Sequence, residues 1–529
     1  MRYDRILRGG TVVDGTGAPP RKADLGMKDG LVYFPEAGAE ADEILGVDGL
    51  VVCPGFIDIH SHSDICPLVP YLPESKLYQG ATSELCGNCG ISILPCNDER
   101  REEIENYCAA ELEIPMLGTK ITTYSTAAYA RHLEAHPMST NYGMLVGHGT
   151  LRGAVMGFED RPATGEEMRR MEELLEQELL DGAFGMSLGL AYPPSCFAPP
   201  EELETLARVL ARHDRLLTVH MRDEGAGVLD SVREMIGIAE KTGVHVQISH
   251  LKVMQKPNWK LFPEEMRLID EANAQGLRVS CDQYPYTASA LALSALLPHW
   301  AHDGGIEAML QTVLRPDERL LRETSVKFET RGGANGVMVC STRGFRPDWE
   351  GKFIGEIAEE LGTDPLHAIM QILTLCGPEV FIITFAQDEK VVREVFSRPD
   401  IAVISDGYNL SCDPEITKDK LHPRCFSTFP HALAWARDEK LLPLETVIWK
   451  MTGLPAQMMG LKTLGTLEEK KIADVTVFDP ERVRDRSTFT EPMQKPEGIE
   501  YVFVRGELIV DHGQITDARP GRALLCGRD

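Results

Sequence analysis

The sequence lacks any stretch of about 18 consecutive apolar residues free of charge, so it offers no membrane-spanning helix. Its start, Met1-Arg2-Tyr3-Asp4-Arg5-Ile6-Leu7, has no apolar leader-type region, and the expectation is a soluble, cytoplasmic protein. Basic residues are in deficit. A net charge of −27 repels phosphate backbones and anionic lipid, which argues against nucleic acid and membranes as partners. Also missing is the dense, even cysteine framework of a small secreted domain: thirteen cysteines scattered over 529 residues read as mostly packed, reduced thiols.

What is present is enough apolar material, 43% of residues, for a large core in two or more domains. Residues 1 to about 52 read as short strands between turns, with Asp14-Gly15 and Asp29-Gly30 as hairpin signals. The C-terminal stretch from about 460 to 529 has the same texture, in Asp474 to Phe478, Tyr501 to Val504 and Glu507 to Val510. The two ends are expected to pair into one small, discontinuous β-domain.

Between them, at 53–459, helical and strand-like segments alternate. Thr164 and Glu167 form a capping box ahead of a helix that stops at Gly182. Helices near Pro200 to His213, Val228 to Lys241 and Pro263 to Gln275 alternate with strand-like Ala183 to Leu188, Leu216 to His220, Val244 to His250 and Leu277 to Asp282. Val380 to Phe385 and Ile401 to Ser405 read as a continuation, and 293–346 as an insertion. Such βα units build a parallel sheet, either open or closed into a (β/α)8 barrel. His60, His62, His220, His250, Asp282 and Asp406 all fall at C-terminal strand ends, which a barrel gathers into one mouth, so the barrel is the expected fold with the insertion over that mouth.

Those strand-end residues suit a hydrolytic metal site, which needs ligands for one or two cations and an open position for water. His60 and His62, two residues apart after an apolar run, can reach one point from the same face. His220 and His250 are one βα unit apart, at similar height on adjacent strands; either alone is ordinarily a hydrogen-bonded core histidine. Cys89, in Gly87-Asn88-Cys89-Gly90, is by its chemistry equally a zinc-binding thiolate or a small buried hydrophobe, and Cys86 is a competitor. Asp406, in Ser405-Asp406-Gly407, is the candidate general base and a metal ligand, whereas Asp282 is expected to stand behind the ligands.

The motifs together are distinctive: Arg8-Gly9-Gly10-Thr11-Val12-Val13-Asp14-Gly15, Pro54-Gly55-Phe56-Ile57-Asp58-Ile59-His60-Ser61-His62, Gly87-Asn88-Cys89-Gly90, Gly147-His148-Gly149-Thr150-Leu151-Arg152, Asp282-Gln283-Tyr284-Pro285-Tyr286 and His422-Pro423-Arg424. The chain resembles the amidohydrolase superfamily, and within it the D-aminoacylase (N-acyl-D-amino-acid deacylase) branch, along nearly its whole length. That resemblance implies a zinc held tightly by Cys89, His220 and His250, a second metal position at His60 and His62, and Asp406 as acid/base. It also implies that Lys252, Tyr284 and Arg424 face the substrate carboxylate. Ser289, one position from the usual polar contact, is expected to touch the substrate, and Tyr192 is expected to shape the acyl side.

The implied reaction is hydrolysis of the amide of a small N-acyl-D-amino acid to a carboxylate and a free D-amino acid. Ala290 to Leu297 is apolar, and the adjacent His299 and His302 carry no permanent charge, so an apolar side chain is expected. The rivals are hydrolysis of a cyclic amide, such as a hydantoin, or of a D-dipeptide, and a silent scaffold. Cyclic amidases would be expected to use a carboxylated lysine where this chain has Cys89. Oligomeric state stays open.

Overall fold

The structure, a computed structural model, describes residues 1–114 and 118–528. Eight parallel strands form its centre: β1 (Phe56–Asp58), β2 (Ala81–Cys86), β3 (Asn141–Met144, resumed at Val146–Gly147), β4 (Gly185–Gly189), β5 (Leu216–His220), β6 (His245–Ile248), β7 (Val279–Gln283) and β8 (Ile401–Val403). Each pairs in parallel with the next. The ring closes where Ser61 bridges Gly407, with the Asp406 and His62 amides donating to the His60 and Gly407 carbonyls at 3.0 Å each. This is the expected (β/α)8 barrel. Its strands are buried over nearly all their length, so they read as apolar runs rather than alternating ones.

The outer helices form where local signals dictate. Gly165–Asp181 begins at the Thr164/Glu167 capping box and ends at Gly182, whose φ of 114° suits glycine. Pro200–Arg212, Val228–Thr242 and Phe262–Ala274 follow, each turning an apolar face onto β4 to β7.

The insertion differs from expectation. Phe381–Thr384, inside the stretch read as a barrel strand, pairs antiparallel with Ser289–Ala292 and with Val337–Ser341. Four helices pack on this sheet around a core of their own that includes Leu293, Leu296, Met309, Phe328, Trp349 and Ile369. The insertion therefore spans 289–385, not 293–346. A short apolar run buried on both faces looks the same in a parallel barrel and in a covered antiparallel sheet, so periodicity could not separate them.

Segments from both termini share a seven-stranded sheet, joined where Val51–Pro54 pairs antiparallel with Val475–Phe478. A second, four-stranded sheet uses N-terminal strands only. The last residues return to the barrel, where Tyr142 and Leu524 amides donate to the Arg522 and Tyr142 carbonyls at 3.0 and 2.8 Å. Among the described residues no helix is long and apolar enough to cross a membrane.

Beneath the closing seam lies a buried ion pair. Lys76 Nζ is 2.5 Å from Asp58 Oδ2 and bonds Ser405 Oγ, while the Ser405 amide and hydroxyl donate to the same carboxylate. It ties the strand end that leads to His60 to the one that leads to Asp406. Replacing Lys76 by Met leaves a buried carboxylate without its cation and is expected to cost about 3–5 kcal/mol. A urea titration checks this; a loss under about 1 kcal/mol would mean that Ser405 alone satisfies Asp58.

Candidate metal centre

Five of the eight strand ends deliver the candidate ligands to the mouth. His60 and His62 follow β1, Cys89 follows β2, His220 closes β5, His250 follows β6, and Asp406 follows β8. Cys89, His250 and Asp406 hold left-handed backbone conformations, with φ of 54°, 37° and 51°. Non-glycine residues adopt that region reluctantly, and three of them converging on one cavity is local strain held by the surrounding structure to aim side chains inward.

The distances define one cluster. Cys89 Sγ is 3.4 Å from both His60 Nε2 and His250 Nε2. Asp406 Oδ1 is 3.3 Å from His60 Nε2 and 3.1 Å from His62 Nε2. Ligand atoms of His60, Cys89, His250 and Asp406 all lie within 4.8 Å of one another, and those of His220, Glu224 and His250 form a second such set. His62 lies in neither set, although it bonds Asp406. His220 meets Glu224 as well as the ring of His250, whose centroid is 4.5 Å away.

Electrostatics say what this cluster would hold. Burial pushes the Cys89 thiol up, but the facing His60 and His250 outweigh it and hold the group well below its ordinary range. Burial likewise opposes the Asp406 and Glu224 charges, yet Arg424 with His60, and Lys252 with His220, keep both carboxyls well below theirs. Burial disfavours a protonated His62, but Asp406 and Cys89 raise it to about 9. Buried anions thus draw protons onto His60, His62 and His250, whereas burial holds His220 below its ordinary range. A divalent cation meets the same demand and releases those protons. His220 Nε2 and Glu224 Oε2 are buried without a hydrogen-bond partner, at a cost that coordination would remove. Thiolate, imidazole and carboxylate donors fit zinc.

The remaining predicted residues share one cavity with this cluster: Tyr192, Lys252, Tyr284, Ser289 and Arg424 all line it. Arg424 Nη1 is 2.6 Å from Asp406 Oδ2, and Lys252 Nζ lies 2.6 Å from Glu224 Oε1 and 2.7 Å from His250 Nδ1. Neither is the free cation that a carboxylate receptor suggests. The Tyr284 hydroxyl accepts from Gln387, Ser289 Oγ shares a hydrogen bond with Thr384, and the Tyr192 ring packs on His220. Asp282 stands behind the ligands, accepting the His250 amide at 2.6 Å and lying 3.5 Å from His60 Nδ1. Cys86 is core, its thiol pushed up by burial.

Three charged cavity residues escaped the sequence reading. Glu224 follows His220 by four residues but was not singled out. Glu111, whose carboxyl burial pushes up to about 8, and Arg331 carried no local signal. The Gly147 to Arg152 motif proves to clamp the turn that carries Cys89. The Gly149 amide donates to the Gly90 carbonyl at 2.8 Å, and Thr150 Oγ1 both accepts from the Ser92 amide and donates to its carbonyl.

A family model described as the amidohydrolase family matches residues 410–510. A D-aminoacylase of Alcaligenes xylosoxydans xylosoxydans is 34% identical over 525 residues, covering 99% of this chain and 97% of its own. An N-acyl-D-glutamate deacylase of the same organism is 34% identical over 526 residues, covering 99% and 96%. Among solved structures, the N-acyl-D-glutamate deacylase of Bordetella bronchiseptica, complexed with zinc and a phosphonate inhibitor, superimposes with a TM-score of 0.83. It is 32% identical and covers 99% of this chain and 100% of that one.

Cys89 offers a direct test of the electrostatics. In zinc-free protein it should be alkylated by iodoacetamide at about pH 6, where ordinary thiols are inert, and zinc should suppress the labelling. Cys196, pushed up to about 12 by burial, is the internal control. Labelling of Cys89 only above about pH 8.5 would contradict the thiolate assignment.

Proposed function

Because the chain belongs to the D-aminoacylase (N-acyl-D-amino-acid deacylase) family of amidohydrolases, we propose that it hydrolyses the amide of N-acyl-D-amino acids with zinc bound in the cluster. The products are a carboxylate and a free D-amino acid. Cys89, His60, His62, His220, His250 and Asp406 are the proposed ligands. Zinc, when bound, polarises the acyl carbonyl and lets water attack near neutral pH.

The observation that carries the reading is the position of Asp406, which meets His60 and His62 through one oxygen and Arg424 through the other. A carboxylate there can take a proton from the attacking water and pass it to the leaving nitrogen. Arg424 and Lys252, with Tyr284 and Ser289 beside them, are proposed to receive the substrate's α-carboxylate, a guanidinium being suited to a two-point grip. Arg424 would then divide its hold between that carboxylate and Asp406. Asp406 becomes more basic only when substrate is in place. Burial of the whole set, with Asp406 only 6% exposed, keeps bulk water from screening these interactions.

An apolar side chain is supported by Ile91, Ala290, Leu291 and Ala292 on the cavity wall, although Leu293, Leu296 and Leu297 of the same run turn into the insertion's core. A carboxylated lysine, as cyclic-amide hydrolysis would need, finds no support: the lysine on the cavity wall, Lys252, is committed to Glu224. A reducing, cytoplasmic setting is supported by thirteen cysteines that form no disulfide among the described residues, most of them buried.

The test is release of free amino acid from paired N-acetyl-D- and N-acetyl-L-amino acids by zinc-loaded protein. D-enantiomers should turn over, and Asp406→Asn should lower kcat by about 10²–10⁴-fold with zinc still bound. Preference for L-enantiomers, or no turnover with zinc in place, would overturn the reading.

A further inference from the structure

Behind the Cys89 turn lies a buried polar chain that the deacylation does not use. His148, the first residue of the helix His148–Met156 that follows β3, stands between Glu202 and Ser195. Its Nε2 is 2.9 Å from Glu202 Oε1 and its Nδ1 is 3.0 Å from Ser195 Oγ. Arg152, one turn further along the helix, donates to both Glu202 oxygens at 2.7 and 2.6 Å. All four side chains are buried. Burial opposes the Glu202 charge, but His148 and Arg152 outweigh it and hold the carboxyl below its ordinary range. An ionised carboxylate can only accept, so His148 Nε2 carries the ring's proton and Nδ1 accepts from the Ser195 hydroxyl. Burial also holds His148 below its ordinary range, which keeps the ring neutral and that tautomer in place.

Serine, histidine and carboxylate in series are also the parts of a nucleophilic triad. Ser195, however, is 1% exposed, and none of the three lines the catalytic cavity, so the chain holds rather than attacks. What it holds is the loop 190–196, which follows β4. The Tyr192 amide donates to the Gly189 carbonyl at 2.8 Å and the Cys196 amide to the Tyr192 carbonyl at 2.9 Å, so Tyr192 and Ser195 move as one turn. Ser195 also packs on the Cys89 turn, since a Cβ on Gly90 would meet its Oγ at 3.1 Å. At the other end of the turn, the Tyr192 ring meets His220 edge-on, centroids 4.6 Å apart, and forms part of the cavity wall. Arg424 and Lys252 gather instead at Tyr284, 5.1 and 6.0 Å from its ring centroid. A substrate gripped there by its carboxylate leaves the His220 side, with Tyr192, to its acyl group. Stability alone does not account for the chain, because an apolar set of similar volume packs as well as a buried ion pair. A fully bonded chain with a fixed tautomer does impose one loop position.

We propose that His148 is a positioning residue for the deacylation: through Ser195 it fixes the loop 190–196 and holds the Tyr192 ring on His220, which limits the length of acyl group that the cavity accepts. The proposal rests on the deacylase reading, since the acyl group is that reaction's substrate. Arg152 and Glu202 act one step further back, by setting the tautomer that lets His148 accept from Ser195.

The experiment uses the N-acetyl and N-butyryl derivatives of the D-amino acid that the zinc-loaded wild type turns over best. It measures kcat/KM, zinc content and Tm for the wild type, Ser195→Ala, His148→Phe, Tyr192→Ala and the Ser195→Ala/Tyr192→Ala double variant. With zinc retained, the butyryl-to-acetyl ratio should rise about three- to tenfold in Ser195→Ala and in His148→Phe. Adding Ser195→Ala to Tyr192→Ala should leave the ratio where Tyr192→Ala alone puts it. A lower Tm with an unchanged ratio means that the chain only supports the fold, and overturns the proposal. So does a Ser195→Ala effect that survives in full without the Tyr192 ring. If His148→Phe does not fold, Ser195→Ala, which removes a single oxygen, decides alone. Should the wild type hydrolyse no N-acyl-D-amino acid, the deacylase reading fails, and crystal structures of wild type and Ser195→Ala test the positioning by itself. A Tyr192 ring displaced from His220 supports it, and an unmoved ring overturns it.

Discussion

A thiol held between two imidazoles at the mouth of a barrel is the constraint on which the rest depends. Cys89 and Asp406 put negative charge where water is nearly excluded, and neither could stay ionised there without dense positive compensation. His60 and His250 face the sulfur, and Arg424 grips the carboxylate. Glu224 and Lys252 repeat the arrangement one strand away. A cation shared by these donors would satisfy the site better than protons can, because it would also take up His220 Nε2, which makes no hydrogen bond.

The barrel serves that constraint. Its strand ends fix six donors in one small volume, and left-handed turns at three of them supply orientation that a plain strand end could not. Two supports keep the ring in register: the buried Lys76–Asp58–Ser405 group under the seam, and the Gly147 to Arg152 clamp on the Cys89 turn. The insertion completes the cavity by lending Ser289 to Ala292 as a wall, with the helix that ends at Arg331 standing behind.

How much of this was legible follows from the range of the signal. His220 and His250 announced themselves because one βα unit separates them, a spacing set by local geometry. The closed barrel was readable from polar residues that all end apolar runs. Glu224 lies only four residues beyond His220, but nothing local says that its carboxylate neutralises Lys252. Phe381–Thr384 was misjudged because its partner strands lie some ninety and forty residues upstream, at Ser289–Ala292 and Val337–Ser341, and pairing over such distances leaves no trace in a short apolar run. Arg331 could not have been found at all, since a lone arginine at a helix end means nothing until the fold sets it beside His220.

The central claim is that Cys89 is part of a zinc centre. X-ray absorption at the zinc edge of the loaded protein tests it most directly. A sulfur neighbour together with nitrogen and oxygen neighbours, the sulfur vanishing in Cys89→Ser, is the predicted result. A spectrum with nitrogen and oxygen neighbours only, unchanged by that substitution, would contradict it.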